Sequence, residues 1–181
     1  MVRVRQARVA DAPAMGRLHV RAWQAAYRGQ MPDDYLERLR PEDRAAYWDG
    51  VLRREDRGGA VLVAERAGEV VGFAAAGPSP DPEGAGELYA INLDPDHWGT
   101  GAGRALLAAA QAELARLGLA ESVLWVLAGN ARARRFYERA GWGADGTERT
   151  SEAFGVSVLE VRYRRRFASP ESSSATPAGT E

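Results

Sequence analysis

The sequence predicts a single α/β domain with a mixed, mostly antiparallel central sheet of about six to seven strands flanked by helices. Hydrophobic residues recur with a period of two or of 3.6 residues in the order strand, helices, three strands, helix, strand, helix, strand. The length of 181 residues, the 45% hydrophobic content and the balance of 24 basic against 25 acidic residues are typical of one soluble globular domain.

The first elements are a strand and a series of helices. Apolar and polar residues alternate over residues 2–8, which predicts a short strand. Asp11 is the expected N-cap of a helix over residues 13–27, whose apolar positions share one helix face. Pro32 and Pro41 are each expected to begin a further helical segment, because proline fits the first turn of a helix.

Three strands follow these helices. Residues 60–67 and 69–77 are expected to form a tight hairpin around Gly68, and residues 87–93 form the next strand. The segment 77–84 is rich in proline and glycine. It is expected to stay out of the sheet as a surface loop, because proline lacks a backbone donor.

The second half alternates helices with strands. A helix is expected from Gly103 to a C-terminal cap at Gly118, followed by an apolar strand over residues 122–127 that is buried on both faces. Another helix follows Asn130 and ends at Gly141. Its apolar stripe consists of Ala133, Phe136, Tyr137 and Ala140.

The chain ends with a strand and an aperiodic tail. Residues 156–167 alternate as a strand, whereas residues 168–181 are rich in Ser, Thr, Pro and Ala and are expected to be disordered. The folded domain is therefore expected to span residues 1–167. The expected buried face of the last strand consists of Leu159, Val161 and Tyr163.

The composition excludes several classes of chemistry. The chain has no cysteine and no lysine, which excludes thiol nucleophiles, cysteine-ligated metals, Schiff bases and the lysine of a Walker phosphate loop. His19 and His97 are too isolated for a metal site. The near-neutral charge argues against nucleic acid, and no membrane span or secretory leader is visible, so we expect a cytoplasmic protein.

The most informative segment is a glycine-rich turn between a strand and a long helix, residues 94–104. Glycines at positions 99, 101 and 103 let the backbone bend, and the helix N-terminus that follows supplies free amides for a phosphate. A plain loop or helix cap uses the same residues, so the glycines alone leave anion binding open. The dinucleotide pattern fails in both registers, because Arg104 and Leu106 stand where a small residue is required.

Two segments together resemble motifs of the GCN5-related N-acetyltransferase (GNAT) superfamily. The segment 87–107 resembles motif A, Arg/Gln-x-x-Gly-x-Gly/Ala, and the segment 130–142 resembles motif B, in the family's order and spacing. The resemblance covers about residues 2–167 and implies the acyl-CoA N-acyltransferase fold, with acetyl-CoA as acyl donor and no metal. One departure is Trp98, which stands at the Arg/Gln position and removes one side-chain contact.

The resemblance implies a set of acyl-CoA contacts. The amides of the glycine turn would face the pyrophosphate, and the end of the fourth strand would face the pantetheine arm where two strands separate. Arg104, Arg132 and Arg135 could add charge near the nucleotide or could simply be solvated. The expected cofactor-binding residues are Ile91, Asn92, Leu93, Trp98, Gly99, Thr100, Gly101, Ala102, Gly103, Arg104, Asn130, Ala133 and Phe136.

The resemblance also implies the catalytic groups. Tyr137 matches the family's general acid, which protonates the departing thiolate, and the amide of Leu93 matches the oxyanion donor. Glu87 matches the catalytic base, acting directly or through water, with Tyr89 as an alternative relay. From the residues alone, a buried core tyrosine and a surface glutamate remain the alternatives.

The acceptor side is less defined. His19, Trp23 and Tyr27 lie on one side of the first helix, as core packing or as substrate contacts. The acidic residues Asp33, Asp34 and Glu37 either favour a cationic amine or form a solvated helix face.

The function implied by the resemblance is N-acetyl transfer from acetyl-CoA directly to a primary amine of a small molecule or peptide. A longer acyl donor, an alcohol acceptor and a non-catalytic acyl-CoA sensor are the alternatives, and a homodimer stays open. A sensor would have no use for Asn130, Tyr137 and Glu87 together.

Overall fold

The computed structural model describes residues 1–56, 58–152 and 156–167. Within these residues, seven strands form one sheet in the order β1-β2-β3-β4-β5-β7-β6, and the only parallel neighbours are β4 and β5. The strands are β1 Val2–Gln6, β2 Ala60–Arg66, β3 Glu69–Pro78, β4 Gly86–Leu93, β5 Glu121–Leu127, β6 Gly143–Ser151 and β7 Val158–Arg166. The predicted mixed, mostly antiparallel sheet is confirmed.

Five helices cover the two faces of the sheet in the described residues. They are α1 Ala12–Tyr27, α2 Asp33–Arg38, α3 Pro41–Arg53, α4 Ala102–Arg116 and α5 Ala131–Arg139. On one face α1 and α3 bury Met15, Trp48 and Phe73 in a common cluster. On the other face α4 and α5 pack around Leu106 and Tyr163. The helical starts expected from Pro32 and Pro41 are confirmed.

The β2–β3 hairpin turns where the sequence predicts it. Ala67 and Gly68 have φ angles of +52° and +85°, the left-handed conformation that a two-residue hairpin turn requires at both positions. The pairing of Arg66 with Glu69 leaves only these two residues in the loop.

The strand β6 was not predicted from the sequence. It forms the edge of the sheet, where β7 is its neighbour, and nearly all of its side chains are exposed. A strand that buries neither face shows no alternation of apolar residues, so the periodicity that reveals other strands is missing. Pairing with β7 therefore defines this element.

Two local predictions were wrong. The loop expected over residues 77–84 begins two residues later, because Gly77 and Pro78 belong to β3 and pair with Glu87 and Gly86 of β4. The strand β2 pairs no further than Ala76, so the missing N–H of Pro78 breaks no bond with that strand. Leu159 is 47% exposed and the neighbouring Val158 is buried instead.

Asp11 is the N-cap residue of α1, as predicted, but its side chain makes no N-cap hydrogen bond. Its carboxylate accepts hydrogen bonds from the guanidinium of Arg5 at 2.7 and 2.9 Å and from the N–H of Arg8 at 2.7 Å. The ion pair joins β1 to the start of α1. The carboxylate is therefore engaged with Arg5 and Arg8 rather than with the first amides of the helix. The predicted tail, residues 168–181, lies outside the described residues.

Candidate active site

The site is built around a gap in the middle of the sheet. The strands β4 and β5 pair only at two positions, Gly86 with Ser122 and Glu87 with Val123. Beyond them the two strands separate, and each keeps its outer neighbour, β3 or β7. The facing edges therefore present backbone groups to the gap that no strand satisfies.

A bulge in β4 accompanies this separation. Ala90 pairs with Ala75 and Leu88 pairs with Ala76, so Tyr89 is the extra residue. Further along, the N–H of Asp94 donates to the carbonyl of Val71 on the β3 side at 3.0 Å. Because successive amides of a strand point to opposite edges, the N–H of Leu93 points into the gap.

The glycine turn lies at the end of β4 and leads into α4. Gly99 and Gly101 have φ angles of +77° and +89°, which L side chains rarely adopt. Gly101 is the residue before α4, so the first amides of this helix lack partners within the helix and present the positive end of its dipole. The local geometry suits an anion, as the sequence predicts.

The departure at Trp98 has a structural counterpart on α5. The guanidinium carbon of Arg132 lies 3.7 Å from the centroid of a Trp98 ring. This cation–π contact brings a positive charge to the turn from α5, which follows the turn after one helix and one strand. Trp98 thus holds a cation near the position where the family pattern has its own Arg or Gln.

The helix α5 carries Tyr137 into the cleft. Asn130 caps this helix, since its Oδ1 accepts a hydrogen bond from the N–H of Ala133 at 3.0 Å. Tyr137 is 8% exposed, and burial raises the pKa of its phenol well above the ordinary value. Burial, assisted by the charge of Glu160, likewise raises the pKa of Tyr27 to about 12. Both phenols therefore keep their protons at neutral pH.

One cleft of about 960 Å³ joins these features. Among the predicted site residues that line it are Tyr137, Asn130, Trp98, Arg104 and residues 91–93. Also lining it are Gly99, Thr100, Gly101, Gly103, Ala133, Phe136, His19, Trp23, Tyr27 and Tyr89. The structure therefore brings together residues from α1, β4, α4 and α5.

Two predicted site residues lie outside this lining. Ala102 is fully buried in the core, so only its backbone serves the start of α4. Glu87 is partly buried, and its Oε2 accepts a hydrogen bond from the hydroxyl of Ser79 at 2.9 Å. Burial raises the pKa of Glu87 above the ordinary glutamate value. The acidic residues Asp33, Asp34 and Glu37 also lie outside the lining.

The aromatic residues of α1 form one wall of the cleft. His19 is buried, and its Nδ1 accepts a hydrogen bond from the indole N–H of Trp48 at 3.4 Å, so the proton of the neutral ring is on Nε2. Burial and the positive charge of Arg44 lower the pKa of His19 to about 4. The ring of Trp23 lies 4.8 Å from that of His19 and 5.1 Å from that of Tyr27, between centroids. His19, Trp23 and Tyr27 therefore both pack in the core and line the cleft.

A charged pair on the opposite wall was missed from the sequence. Arg149 on β6 and Glu160 on β7 form an ion pair of 2.7 Å, and the guanidinium of Arg149 stacks on Trp125 at 4.0 Å. All three residues line the cleft. Because β6 was not predicted, nothing in the sequence placed Arg149 there. Other lining residues that were missed include Met31, Arg44, Tyr47, Trp48, Ser151 and Val158.

Two further properties concern the described residues only. Within ranges 1–56, 58–152 and 156–167, no three His, Asp or Glu side chains are grouped as metal ligands would be. None of the helices described is both long and apolar enough to span a bilayer.

Comparisons with known proteins define the family. The family model described as "Acetyltransferase (GNAT) family" matches residues 20–142. The protein YuaI of Bacillus subtilis, named an uncharacterized N-acetyltransferase, is 35% identical over 132 residues, which cover 72% of this chain and 74% of YuaI. The chain therefore belongs to the acetyltransferase (GNAT) family and is an acyl-CoA-dependent acyltransferase.

A second relative matches only in part. The mycothiol acetyltransferase of Thermobispora bispora is 43% identical over 108 residues, or 58% of this chain. These residues span only 32% of that relative.

Solved structures share the fold over nearly the whole chain. PaiA N-acetyltransferase of Thermoplasma acidophilum in complex with coenzyme A has a TM-score of 0.76 at 18% identity, over 92% of this chain and 99% of that structure. YncA of Salmonella typhimurium, solved with its cofactor acetyl-CoA, has a TM-score of 0.69 at 25% identity, over 95% and 99% respectively. The predicted family and fold are thus confirmed.

Proposed function

We propose that this chain is an N-acetyltransferase that moves an acetyl group from acetyl-CoA directly to a primary amine of a small molecule or peptide. The observation that carries the proposal is the single cleft in which the open β4–β5 gap, the glycine turn and the phenol of Tyr137 meet. Membership of the family and the acetyl-CoA bound by YncA support it.

The residues of the cleft fit an acyl-CoA donor. The amides of residues 101–104 and the cation of Arg132 suit the pyrophosphate, because both are donors fixed before any ligand arrives. The open edge of β4 suits the amide groups of the pantetheine arm, which can pair like an added strand. The acetyl group would then lie beside Leu93 and Tyr137.

Two groups would serve the transfer itself. As the amine nitrogen bonds to the acetyl carbon, negative charge develops on the carbonyl oxygen, and the N–H of Leu93 points to the gap where it can donate to that oxygen. As the carbon–sulfur bond breaks, the phenol of Tyr137 gives its proton to the thiolate. The amine attacks the acetyl carbon of acetyl-CoA directly, since the chain has no cysteine to carry the acetyl group.

The amine must lose a proton before or during the attack. We assign Glu87 as the base, acting through water, because its carboxylate is partly buried with a raised pKa but lies outside the cleft lining. Glu160 is a carboxylate in the lining, but it is paired with Arg149.

Glu87→Gln should lower the rate of acetyl transfer, and this loss should become smaller as pH rises, because the amine then deprotonates by itself. Glu160→Gln is the comparison variant.

The test of the proposed function is acetyl-CoA consumption by the purified chain with a panel of amines. Polyamines, aminoglycosides, amino acids and short peptides are supplied in turn, free thiol is followed over time, and the acetylated product is identified by mass. A reaction without amine corrects for hydrolysis. Tight acetyl-CoA binding with no thiol release from any amine would instead indicate a sensor.

A further inference from the structure

A second, smaller cavity adjoins the acceptor side of the cleft. Its volume is about 180 Å³, and it lies where α2 meets α3. Its lining consists of Tyr35, Arg38, Leu39, Arg40, Asp43 and Arg44. Arg44 also lines the main cleft, so one guanidinium borders both spaces.

The charge of this cavity is positive. Three arginines face one aspartate in the lining. Arg38 has an ion pair with Asp34 at 3.0 Å, so the positive excess of the lining comes from Arg40 and Arg44 against Asp43. A cationic acceptor such as a polyamine would meet like charges here, whereas an anion would meet three donors.

The spacing along α1 sets the length of a ligand that reaches both ends. The indole N–H of Trp48 contacts His19 at 3.4 Å, and Arg44 is one turn before Trp48 on α3. Tyr27 and Tyr137 line the same cleft as Arg44 and His19. Residues 19 and 27 are eight positions apart on one helix, a rise of about 12 Å. Three extended peptide residues span roughly 10 Å.

We infer that the acceptor is an amine with an anionic group, a carboxylate or a phosphate, which Arg44 binds together with Arg38 and Arg40 roughly 10 Å from the reacting nitrogen. The inference rests on the proposed function and names its class of acceptor. A short peptide with a free carboxyl terminus satisfies both the charge and the length. Guanidinium groups suit either anion, because they donate paired hydrogen bonds.

The test is calorimetric binding of matched amines to the protein saturated with coenzyme A. One pair is triglycine against triglycine amide, and the other is 6-aminohexyl phosphate against 6-aminohexanol, so that carboxylate and phosphate are compared separately. Each anionic member should bind about tenfold or more tightly than its neutral partner, the usual scale for hydrogen bonds to a charged group. Arg44→Gln should remove most of that preference.

Control variants keep the result specific. Arg17→Gln makes the same change of charge on the exposed face of α1, outside both cavities, and should keep the preference. Arg40→Gln gives a second measurement should Arg44→Gln fold poorly, as judged by circular dichroism. Acetyl-CoA affinity should be unchanged in Arg17→Gln, since Arg17 lies outside the main cleft.

Several outcomes would overturn the inference. These are equal binding within both pairs, no binding of either anionic member, or a preference that survives in both Arg44→Gln and Arg40→Gln. Turnover is measured separately by thiol release. Selective binding without turnover would contradict the proposed acetyl transfer but support the anionic acceptor. Turnover of neutral amines alone would support acetyl transfer but contradict the anionic acceptor.

Discussion

At the scale of single residues, Tyr137 combines two properties that a proton donor needs. It lines the cleft, and its phenol, whose pKa burial raises further above neutral pH, carries its proton there. Its ring also packs beside Phe136 and Trp142, so the same residue stabilises the fold. The hydroxyl and the ring can therefore be tested separately.

Tyr137→Phe keeps the ring and removes the proton. We expect kcat to fall by about 10²-fold or more with acetyl-CoA affinity nearly unchanged, because the proton is needed only as the carbon–sulfur bond breaks. Single-turnover kinetics at saturating substrates measure the chemical step. An unchanged chemical rate would show that Tyr137 is a packing residue only.

Tyr163→Phe is the matched control for this variant. Tyr163 is fully buried, donates to Glu138 at 2.7 Å and accepts from Arg134 at 3.0 Å, and it lies outside the cleft lining. Its loss of the hydroxyl should lower the free energy of unfolding by about 1–3 kcal/mol without changing kcat.

The stability of the protein should depend on pH through His19. Its pKa is 6.5 ordinarily and about 4 in the fold, so between these values the unfolded chain binds more protons. The contribution of neutral His19 is complete above pH 6.5 and is lost as pH falls toward 4, by about 3 kcal/mol. Denaturant titrations at a series of pH values give the free energy of unfolding of the parent and of His19→Gln. Between pH 6.5 and 4 this free energy should fall more steeply with decreasing pH in the parent than in the variant. An equal pH dependence in both proteins would contradict the burial of a neutral ring.

At the scale of elements, the glycine turn is a backbone device. Gly101→Val places a β-branched residue at φ +89° and should abolish measurable acetyl-CoA affinity, because the turn can no longer present its amides. Gly84→Val is the matched control, with φ +79° in a loop outside the cleft. Both should lose stability, but only Gly101→Val should lose binding in calorimetry. Normal acetyl-CoA affinity in Gly101→Val would mean that the pyrophosphate binds elsewhere.

The contributions of Trp98 and Arg132 to acetyl-CoA affinity should depend on each other. Trp98→Ala releases the guanidinium of Arg132 from its stacking face, and we expect acetyl-CoA affinity to fall about tenfold. Arg132→Ala should cost a similar amount, and the double variant little more than either single one. Calorimetry of the four proteins measures this cycle. Losses that simply add would show that the two residues act independently.

At the scale of the whole molecule, a donor in the gap between β4 and β5 would join the two halves of the sheet. Acetyl-CoA at about a hundred times its dissociation constant should stabilise the fold by about 2.7 kcal/mol and raise Tm by roughly 5–10 °C. A chelator should not change this shift in Tm, because the proposed pyrophosphate-binding site consists of backbone amides and arginine. A shift that disappears with chelator would require a metal in the site.

Much of this architecture was predictable because its signals are local. The period of two or 3.6 residues located most strands and helices, and glycine at positions 68, 99 and 101 marked turns that need a positive φ. Motif spacing placed Asn130 and Tyr137 on the helix that enters the cleft. Each of these features depends on residues close together in the chain.

Other features depend on residues that meet only after folding. Asp11 is at the predicted N-cap position, but its carboxylate forms an ion pair with Arg5 instead of capping α1. The exposed edge strand β6 exists through its pairing with β7. Arg149 and Glu160 meet across those two strands, so neither could be assigned to the cleft from its neighbours in the sequence.

The sequence by itself therefore determined the order of all the elements except β6, the glycine turn and the family, since periodicity and motif spacing are local properties of the chain. Only the tertiary structure decided that β4 and β5 separate after two pairs, that Arg132 covers Trp98, and that Arg44 borders two cavities. The physical reason is that a cleft is a relation among packed elements. Its shape and charge follow from side chains that distant segments bring together, and no local pattern records them.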